Sequence, residues 1–350
     1  MLSARTLCAN SRKAHLIFWR GNSVVHSVCY PLMLFRCSFY PEFTRVITKL
    51  KVIFVSIVGQ DVNYVVKRSL TIPLLCFLVL FSASYTAIGA PKKILLPEWQ
   101  ASDESSTIVV DHSLWQKVLD QYVVEKNQQT YVQYAQLKQA QINTLENSGQ
   151  SSLDDYLSYL ATINPLSLAR QEQQAYWINL YNAATVQLIV QNYPVSSITK
   201  LGKGLFSFGP WNDNIVTVNQ QKISLNDIEH GILRPIYDDP RIHYAVNCAS
   251  FSCPNLLAIA FTRENTEALL DKGARDYINH PRGVSVNQGK LVLSKIYDWY
   301  QEDFNHSEKG VLAHIKQYAS EDLLGKLERA DINSIRYVYG WELNDVPPPE

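Results

Sequence analysis

From Ser113 onward the apolar residues fall into helical stripes. SLWQKVLDQYVV puts Leu114, Trp115, Val118, Leu119 and Tyr122 on one face, and SLDDYLSYLATI repeats the device with Leu153, Tyr156, Leu157 and Leu160. Each predicts a helix with one buried face. Asn164-Pro165 ends the second, and a long helix is expected to follow as far as Tyr193, where Pro194 stops it. Within that helix AYWINLYNAATVQLIV is apolar on all sides, the pattern of a helix enclosed by its own domain. Asn179 and Asn182, spaced i,i+3, share a face there. A buried amide without partners costs about 1–3 kcal/mol, so both are expected to be hydrogen-bonded, either locking neighbouring loops or lining a pocket.

Beyond the long helix the period changes. NIVTVNQQKISL alternates around a polar turn and predicts a hairpin. Ser224 with Asp227 three residues later has the form of a capping box, opening a helix to about Leu233. Asp239-Pro240 turns the chain into an expected strand, IHYAV. Thr262 to Ile278 reads as a helix, VSVNQGKLVL as a second hairpin, HSEKGVLAHIKQYA as a helix and SIRYVYGWEL as a last strand. Residues 91–110 are expected to be an extended lead-in, and 345–350 a mobile tail. Helices mixed with adjacent hairpins, without a repeat, predict an α+β fold: a single domain over 111–344 of several helices packed with short, mostly antiparallel strands.

Charge divides the chain in two. Residues 1–90 hold ten Lys and Arg against two Asp and Glu, whereas 91–350 hold 22 against 30, so the net charge of zero conceals a basic leader and an acidic body. At 47% hydrophobic residues the chain is well supplied for a core. In the leader, Lys67 and Arg68, an apolar run from about Ile72 to Phe81 and small residues up to Ala90 make residues 65–90 read as a secretory signal peptide. Contact with a membrane is expected only if that segment stays uncleaved. Because a signal starts at a terminus, residues 1–64 read as a mis-annotated extension or disordered leader, with the true start near Val66 through an alternative start codon. The protein is thus expected to be exported, periplasmic or secreted, and cleavage near Ala90 leaves two cysteines of six, Cys248 and Cys253.

Those two cysteines stand in RIHYAVNCASFSCPNL, residues 241–256, where three readings compete. A thiol enzyme would use His243 as the base for Cys248. Against this, thiol enzymes of the papain type place the cysteine at the head of a helix and the histidine later in the chain, and Cys253 is at hand to oxidise Cys248. A metal site would draw on His230, His243, Cys248, Cys253 and Glu229, but the spacing matches no standard zinc pattern. A disulfide closes a loop of about six residues, worth about 2 kcal/mol in the chain-entropy account, and is favoured in an oxidising compartment. The disulfide is the preferred reading, with no metal or other cofactor expected. It would hold Asn247, Ser250 and Ser252 in a set geometry. His243 also has a plain reading as a hydrogen-bonded core histidine, and Glu229 and Arg234 as ordinary ion-pair partners. Even so, His243, Asn247, Glu229 and Arg234 mark the expected place of a polar pocket.

AYWINLYNAATVQLI, ISLNDIEHGILR, DPRIHYAVNCASFSCPNL and LVLSKIYDWYQEDF, in this order, resemble the domain of unknown function 547 family over roughly residues 112–344. The closing YVYGWELND is similar to the family's usual Tyr-Asp-Trp-x-Leu-Asn ending, with Gly340 where the family commonly has Asp. The resemblance implies kinship and no reaction.

Function classes narrow by exclusion. The chain has no Gly-Lys phosphate loop, no G-x-G-x-x-G after a strand and no G-x-S-x-G elbow. Its acidic body argues against nucleic acid. Tyr297, Trp299 and Tyr300 in KIYDWY are candidates to stack on sugars, or are core. The favoured expectation is an exported, disulfide-stapled binding or scaffold module acting on a cell-envelope polymer or a protein partner, with Asn179, Asn182, Arg234, Asn247 and Ser250 as binding candidates. The alternative is a hydrolase or acyl-transferase using His243 with Cys248 or a neighbouring serine, with Glu229 as a further catalytic candidate.

Overall fold

The computed structural model describes residues 90–148, 152–202 and 208–347. Residues 1–64 and the expected signal segment up to Gly89 lie outside the described residues, as do 348–350. The rest forms an α+β domain. Among the described residues no helix is long and apolar enough to cross a membrane.

The lead-in runs extended to a short turn at Pro97–Trp99 and buries Trp99. Helix α1, Ser113–Tyr122, buries Trp115, Val118 and Leu119 from the expected stripe. Strands β1, Val123–Lys126, and β2, Gln129–Val132, then pair antiparallel. Helices α2, Tyr134–Ser148, and α3, Ser152–Thr162, lead to α4, Arg170–Asn192. Eighteen of the 23 residues of α4 are buried, so it is the axis of the domain, as its all-round apolar surface implies.

The second half contains the antiparallel pair β3, Val216–Val218, and β4, Gln221–Ile223. A helical stretch follows, Asp227–Leu233 in π form and Arg234–Tyr237 (α5) in α form. Next come α6, Thr266–Ile278, and the hairpin of β5, Val284–Asn287, with β6, Lys290–Ser294. Short helix α7, Ile296–Trp299, a 3-10 turn at Gln301–Phe304, α8, Glu308–Tyr318, and α9, Glu321–Glu328, complete the helices. Strand β7, Asp331–Val338, joins β6 in parallel.

All three hairpins turn in the same way. Asn127-Gln128, Asn219-Gln220 and Gln288-Gly289 have positive φ at both loop positions, the backbone that matches the right-handed twist of two short strands. The β1–β2 hairpin, absent from the sequence expectation, carries the same Asn-Gln-Gln as the β3–β4 turn that was read correctly. That repeat was the available signal.

One expected element is corrected. IHYAV is not a strand: Pro240–Tyr244 forms a 3-10 helix. Asp239 Oδ1 accepts the Arg241 N–H at 2.8 Å, and Pro240 supplies a fixed φ that suits a first helical position. Arg241 then ties the turn to Glu267 and Asp271 on α6, at 2.9 and 2.8 Å. Apolar alternation there served a different purpose, because the segment lies between two cores. Ile242, Ala245 and Val246 pack into the large cluster around α4, while Tyr244 packs into a second built from Tyr277, Tyr297, Phe304 and Ile315. The stretch with the histidine and cysteines follows the seam between them.

Candidate functional site

The Ser224–Asp227 capping box is present: Asp227 Oδ2 accepts the Ser224 N–H at 2.8 Å and Ser224 Oγ accepts the Asp227 N–H at 3.1 Å. Pro235 has no N–H to donate back into the π turns that follow, and the lead-in bonds two of their carbonyls. Ile94 N–H donates to the His230 carbonyl at 3.0 Å and Leu96 N–H to the Gly231 carbonyl at 2.9 Å. Gly231 permits this approach, since a Cβ there would lie 2.6 Å from Leu96 Cδ1. The result presents Glu229, His230 and Arg234 toward the seam, all buried.

Arg234 is fully engaged. Its Nε donates to Asp303 Oδ2 at 2.6 Å, Nη2 to Glu302 Oε1 at 2.5 Å, and Nη1 to the Pro91 carbonyl and to His230 Nδ1, each at 3.0 Å. A guanidinium has only donors, so His230 Nδ1 must be the bare nitrogen and the ring neutral. Burial agrees, lowering the His230 pKa to about 4 despite the attraction of Glu229.

His243 is in the opposite state. Its Nε2 lies 2.7 Å from Asp303 Oδ2 and its Nδ1 3.7 Å from Glu229 Oε1, so each nitrogen faces a carboxylate. Burial disfavours charge on the ring, but hydrogen bonding to Asp303 and Glu229 outweighs it and the pKa is raised. The imidazolium stacks on Tyr300 at 4.2 Å, and Arg234 lies 4.8 Å from the same ring.

Burial also works against ionisation of Glu229. His230, charged at the low pH where Glu229 titrates, together with His243 and Arg234 overcomes this and holds the carboxyl at about 2. Asp303 is held well below the usual carboxylate range against its own burial, through His243 and Arg234. Lys93 Nζ, at 3.2 Å, is a third cation on Asp303. Glu229, Glu302 and Asp303 thus face Arg234, His243 and Lys93, the last shared with the exposed Asp238 at 2.7 Å, so every cation has an acid partner.

Next to it stands the sulfur wall. Cys248 and Cys253 are joined in a disulfide, the preferred reading of the sequence. Cys248 Sγ lies 3.1 Å from both Ser250 Oγ and the Tyr339 hydroxyl. Cys253 Sγ accepts the Cys248 N–H at 2.9 Å and the Tyr339 O–H at 3.4 Å. Tyr339 stays protonated because burial raises its pKa far above neutrality.

The loop between the cysteines is held from both sides. Asn182 donates to the Ala245 carbonyl at 2.9 Å and accepts the Asn247 N–H at 2.8 Å. Asn179 makes the same two-ended clamp on Phe261, at 2.7 and 3.0 Å. Asn247 spans the loop, accepting from Ala249 N–H at 2.9 Å and donating to the Pro254 carbonyl at 2.7 Å. This fixes Ala249 at φ 58°, in the left-handed region. The C-terminal segment closes the other side: Phe251 N–H donates to the Glu342 carbonyl at 2.6 Å, Ser252 N–H to the Gly340 carbonyl at 3.2 Å, and Asn344 N–H to the Ala249 carbonyl at 3.1 Å. A Cβ at Gly340 would lie 2.5 Å from Glu342 Oε2. That is the far end of a flexible side chain, which a larger residue could displace.

Between the charged network and the sulfur wall opens a cleft of about 520 Å³, shared by Glu229, His230, His243, Cys248 and Cys253. Its rim is aromatic: Phe208, Trp211, Trp299, Tyr300, Tyr339 and Trp341. Trp341 joins the set, with ring centres 4.7 Å from Tyr339 and 5.6 Å from both Trp211 and Trp299. In KIYDWY the aromatics divide, Tyr297 lying in the second core and Trp299 and Tyr300 on the cleft.

The structure therefore brings His243, Glu229 and Arg234 into one network. It puts Cys248 and Ser250 on the facing wall, sets Asn182 and Asn247 behind that wall as clamps, and uses Asn179 to clamp Phe261 further along the chain. Glu229 pairs with buried His243, and Arg234 with buried Asp303 and half-buried Glu302. Among the described residues no cluster of three or more His, Cys, Asp or Glu is positioned to hold a metal ion. Sequence reasoning missed Asp303, Glu302, Lys93, Tyr339 and Trp341. The signal for the acids was the QEDF that closes the LVLSKIYDWYQEDF block.

No curated protein and no solved structure matches the chain. Residues 165–278, which carry the buried helix, the π turns and both cysteines, match the model of the family described as Protein of unknown function, DUF547.

Proposed function

We propose that this protein is a disulfide-stapled binding module of the cell envelope, whose cleft takes a saccharide segment of an envelope polymer. The observation that carries the reading is the pairing of flat aromatic faces at the rim with a floor whose buried cations are already paired with acids. Trp211, Trp299 and Trp341 offer surfaces for the apolar faces of sugar rings, while Asn212, Asn226 and Glu229 offer hydrogen-bonding groups to hydroxyls. Export draws support from the signal pattern at 65–90 and from a disulfide, which persists in oxidising compartments.

The same geometry speaks against catalysis by these groups. Glycoside hydrolysis needs one carboxyl kept protonated as the acid, whereas Glu229 and Asp303 are both held ionised. Acyl transfer through Cys248 needs a free thiol, and through either Cys248 or a neighbouring serine a neutral imidazole base, whereas Cys248 is bonded to Cys253 and His243 is held charged by two acids.

The test is titration of the full chain with soluble N-acetylhexosamine oligosaccharides, read by tryptophan fluorescence and calorimetry. Saturable binding is expected, weakened about tenfold by Trp299→Ala through loss of one stacking face. Folded protein that binds none of them at millimolar concentration overturns the saccharide reading. Turnover of an ester or oligosaccharide that is abolished by Cys248→Ala or His243→Gln replaces it with the hydrolase. N-terminal sequencing of protein recovered from its natural source is expected to begin close to Ala90, and a start before residue 80 overturns export through this signal.

A further inference from the structure

Both sulfurs of the Cys248–Cys253 bond face the cleft, but not equally: Cys248 is partly exposed and Cys253 is buried. An incoming thiol meets Cys248 first. Cys253 Sγ has the environment a departing thiolate requires. The Cys248 N–H stands at 2.9 Å, and the Tyr339 hydroxyl, 3.1 Å from Cys248 Sγ and 3.4 Å from Cys253 Sγ, can turn its single proton to the sulfur that becomes thiolate, while Arg282 places a cation on the same residue by donating Nη1 to its carbonyl at 2.6 Å. Breaking the bond also leaves the loop in place. Asn182, Asn247 and the 340–344 segment hold it through hydrogen bonds that involve neither sulfur.

We propose that Cys248–Cys253 is an exchangeable redox pair that oxidises a dithiol presented in the cleft. One thiolate of the dithiol attacks Cys248 Sγ; a mixed disulfide forms, the Cys248–Cys253 bond breaks, and its electron pair stays on Cys253 Sγ under the two donors. The second thiolate of the dithiol then attacks its own sulfur in the mixed disulfide, closing the dithiol's disulfide and releasing Cys248 as thiolate. The dithiol loses two electrons, and the two protons it sheds end on Cys248 and Cys253. This assignment is independent of what else the cleft binds, because it uses the sulfur wall and not the aromatic rim's affinity for sugars.

Oxidised full-length protein is treated with dithiothreitol, and the thiols are trapped by alkylation and counted by mass while circular dichroism follows the fold. Opening is expected at a rate proportional to dithiothreitol concentration, with the fold retained. Tyr339→Phe, which keeps the ring and removes the donor, is expected to slow opening about tenfold. With oxidised glutathione, Cys253→Ser is expected to hold a stable adduct on Cys248, whereas Cys248→Ser, with only the buried sulfur left, takes none. Opening at a rate that ignores dithiothreitol concentration and equals that of global unfolding overturns the proposal. So does a folded Cys253→Ser protein that forms no adduct, or a Tyr339→Phe protein that opens as fast as the unaltered chain.

Discussion

On the floor of the cleft His243 and Arg234 keep their places because Asp303 pairs with both, whereas on the facing wall the loop from Asn247 to Pro254 keeps its place through amide clamps and backbone bonds. The floor is an arrangement of charges and responds to whatever changes a charge. The wall is held mainly by neutral amide and backbone dipoles around one covalent bond, with Arg282, charged throughout the accessible pH range, as its one cation, and so responds little to such changes. A cleft built in this way keeps its outline when its sulfur chemistry changes, and loses its floor when a single carboxylate is removed.

Asp303→Ala tests the contrast most severely. It takes one carboxylate from each of two buried cations, leaving Arg234 with Glu302 and His243 with Glu229, and breaking a buried pair on one side costs about 3–5 kcal/mol, to be read by denaturant unfolding. A cost below about 1 kcal/mol would show that water already screens the network. Asn182→Leu attacks the wall instead, orphaning the Ala245 carbonyl and the Asn247 N–H together, and is expected to cost about 2–4 kcal/mol. It should leave the pH dependence of stability as it was.

Replacing both cysteines by Ala is expected to cost about 2 kcal/mol, because the cross-link acts chiefly by restricting the unfolded chain. The folded double variant should retain cleft fluorescence and ligand binding. If binding disappears while the fold persists, the sulfurs hold the wall and the hydrogen bonds do not.

The mildest perturbation is pH. Glu229 has its pKa depressed from 4.5 to about 2, so its contribution is present above 4.5 and is lost as the pH falls toward 2. His243 has its pKa raised above 6.5, so its contribution is complete below that value and is lost as the pH rises through the folded value. These two groups are level between about pH 4.5 and 6.5, but buried His230, His112 and His314, each lowered to about 4, lose stability as the pH falls below 6.5, so the peak is expected near pH 6.5. His243→Gln should flatten the alkaline side of that peak, checked by melting temperature across a pH series. An unchanged alkaline slope would place the titration elsewhere.

The elements that were legible in advance share a cause. The all-round apolar run that marks α4, the Ser224–Asp227 box and the β3–β4 and β5–β6 turns are local, each depending on residues within a few positions of one another. Where local pattern misled, tertiary packing had overruled it. IHYAV alternates like a strand because its residues serve two cores in turn, and with no strand beside it the backbone closes into a 3-10 helix under Asp239. Glu229 likewise read as an ordinary ion-pair partner until the π turns rotated it inward against His243.

By itself the sequence determined the α+β character, the buried helix with its two amides, and two cysteines near enough to bond, because each follows from short-range periodicity, turn chemistry or proximity along the chain. Only the tertiary structure decided that Asp303, sixty residues beyond His243, takes its Nε2, and that Tyr339, 91 residues beyond Cys248, caps its sulfur. Such partners meet because two cores pack against each other and bring their seam residues together. No local spacing encodes that meeting, since its geometry is fixed by the volumes of Tyr244, Tyr277, Tyr297 and Phe304 on one side and α4 on the other.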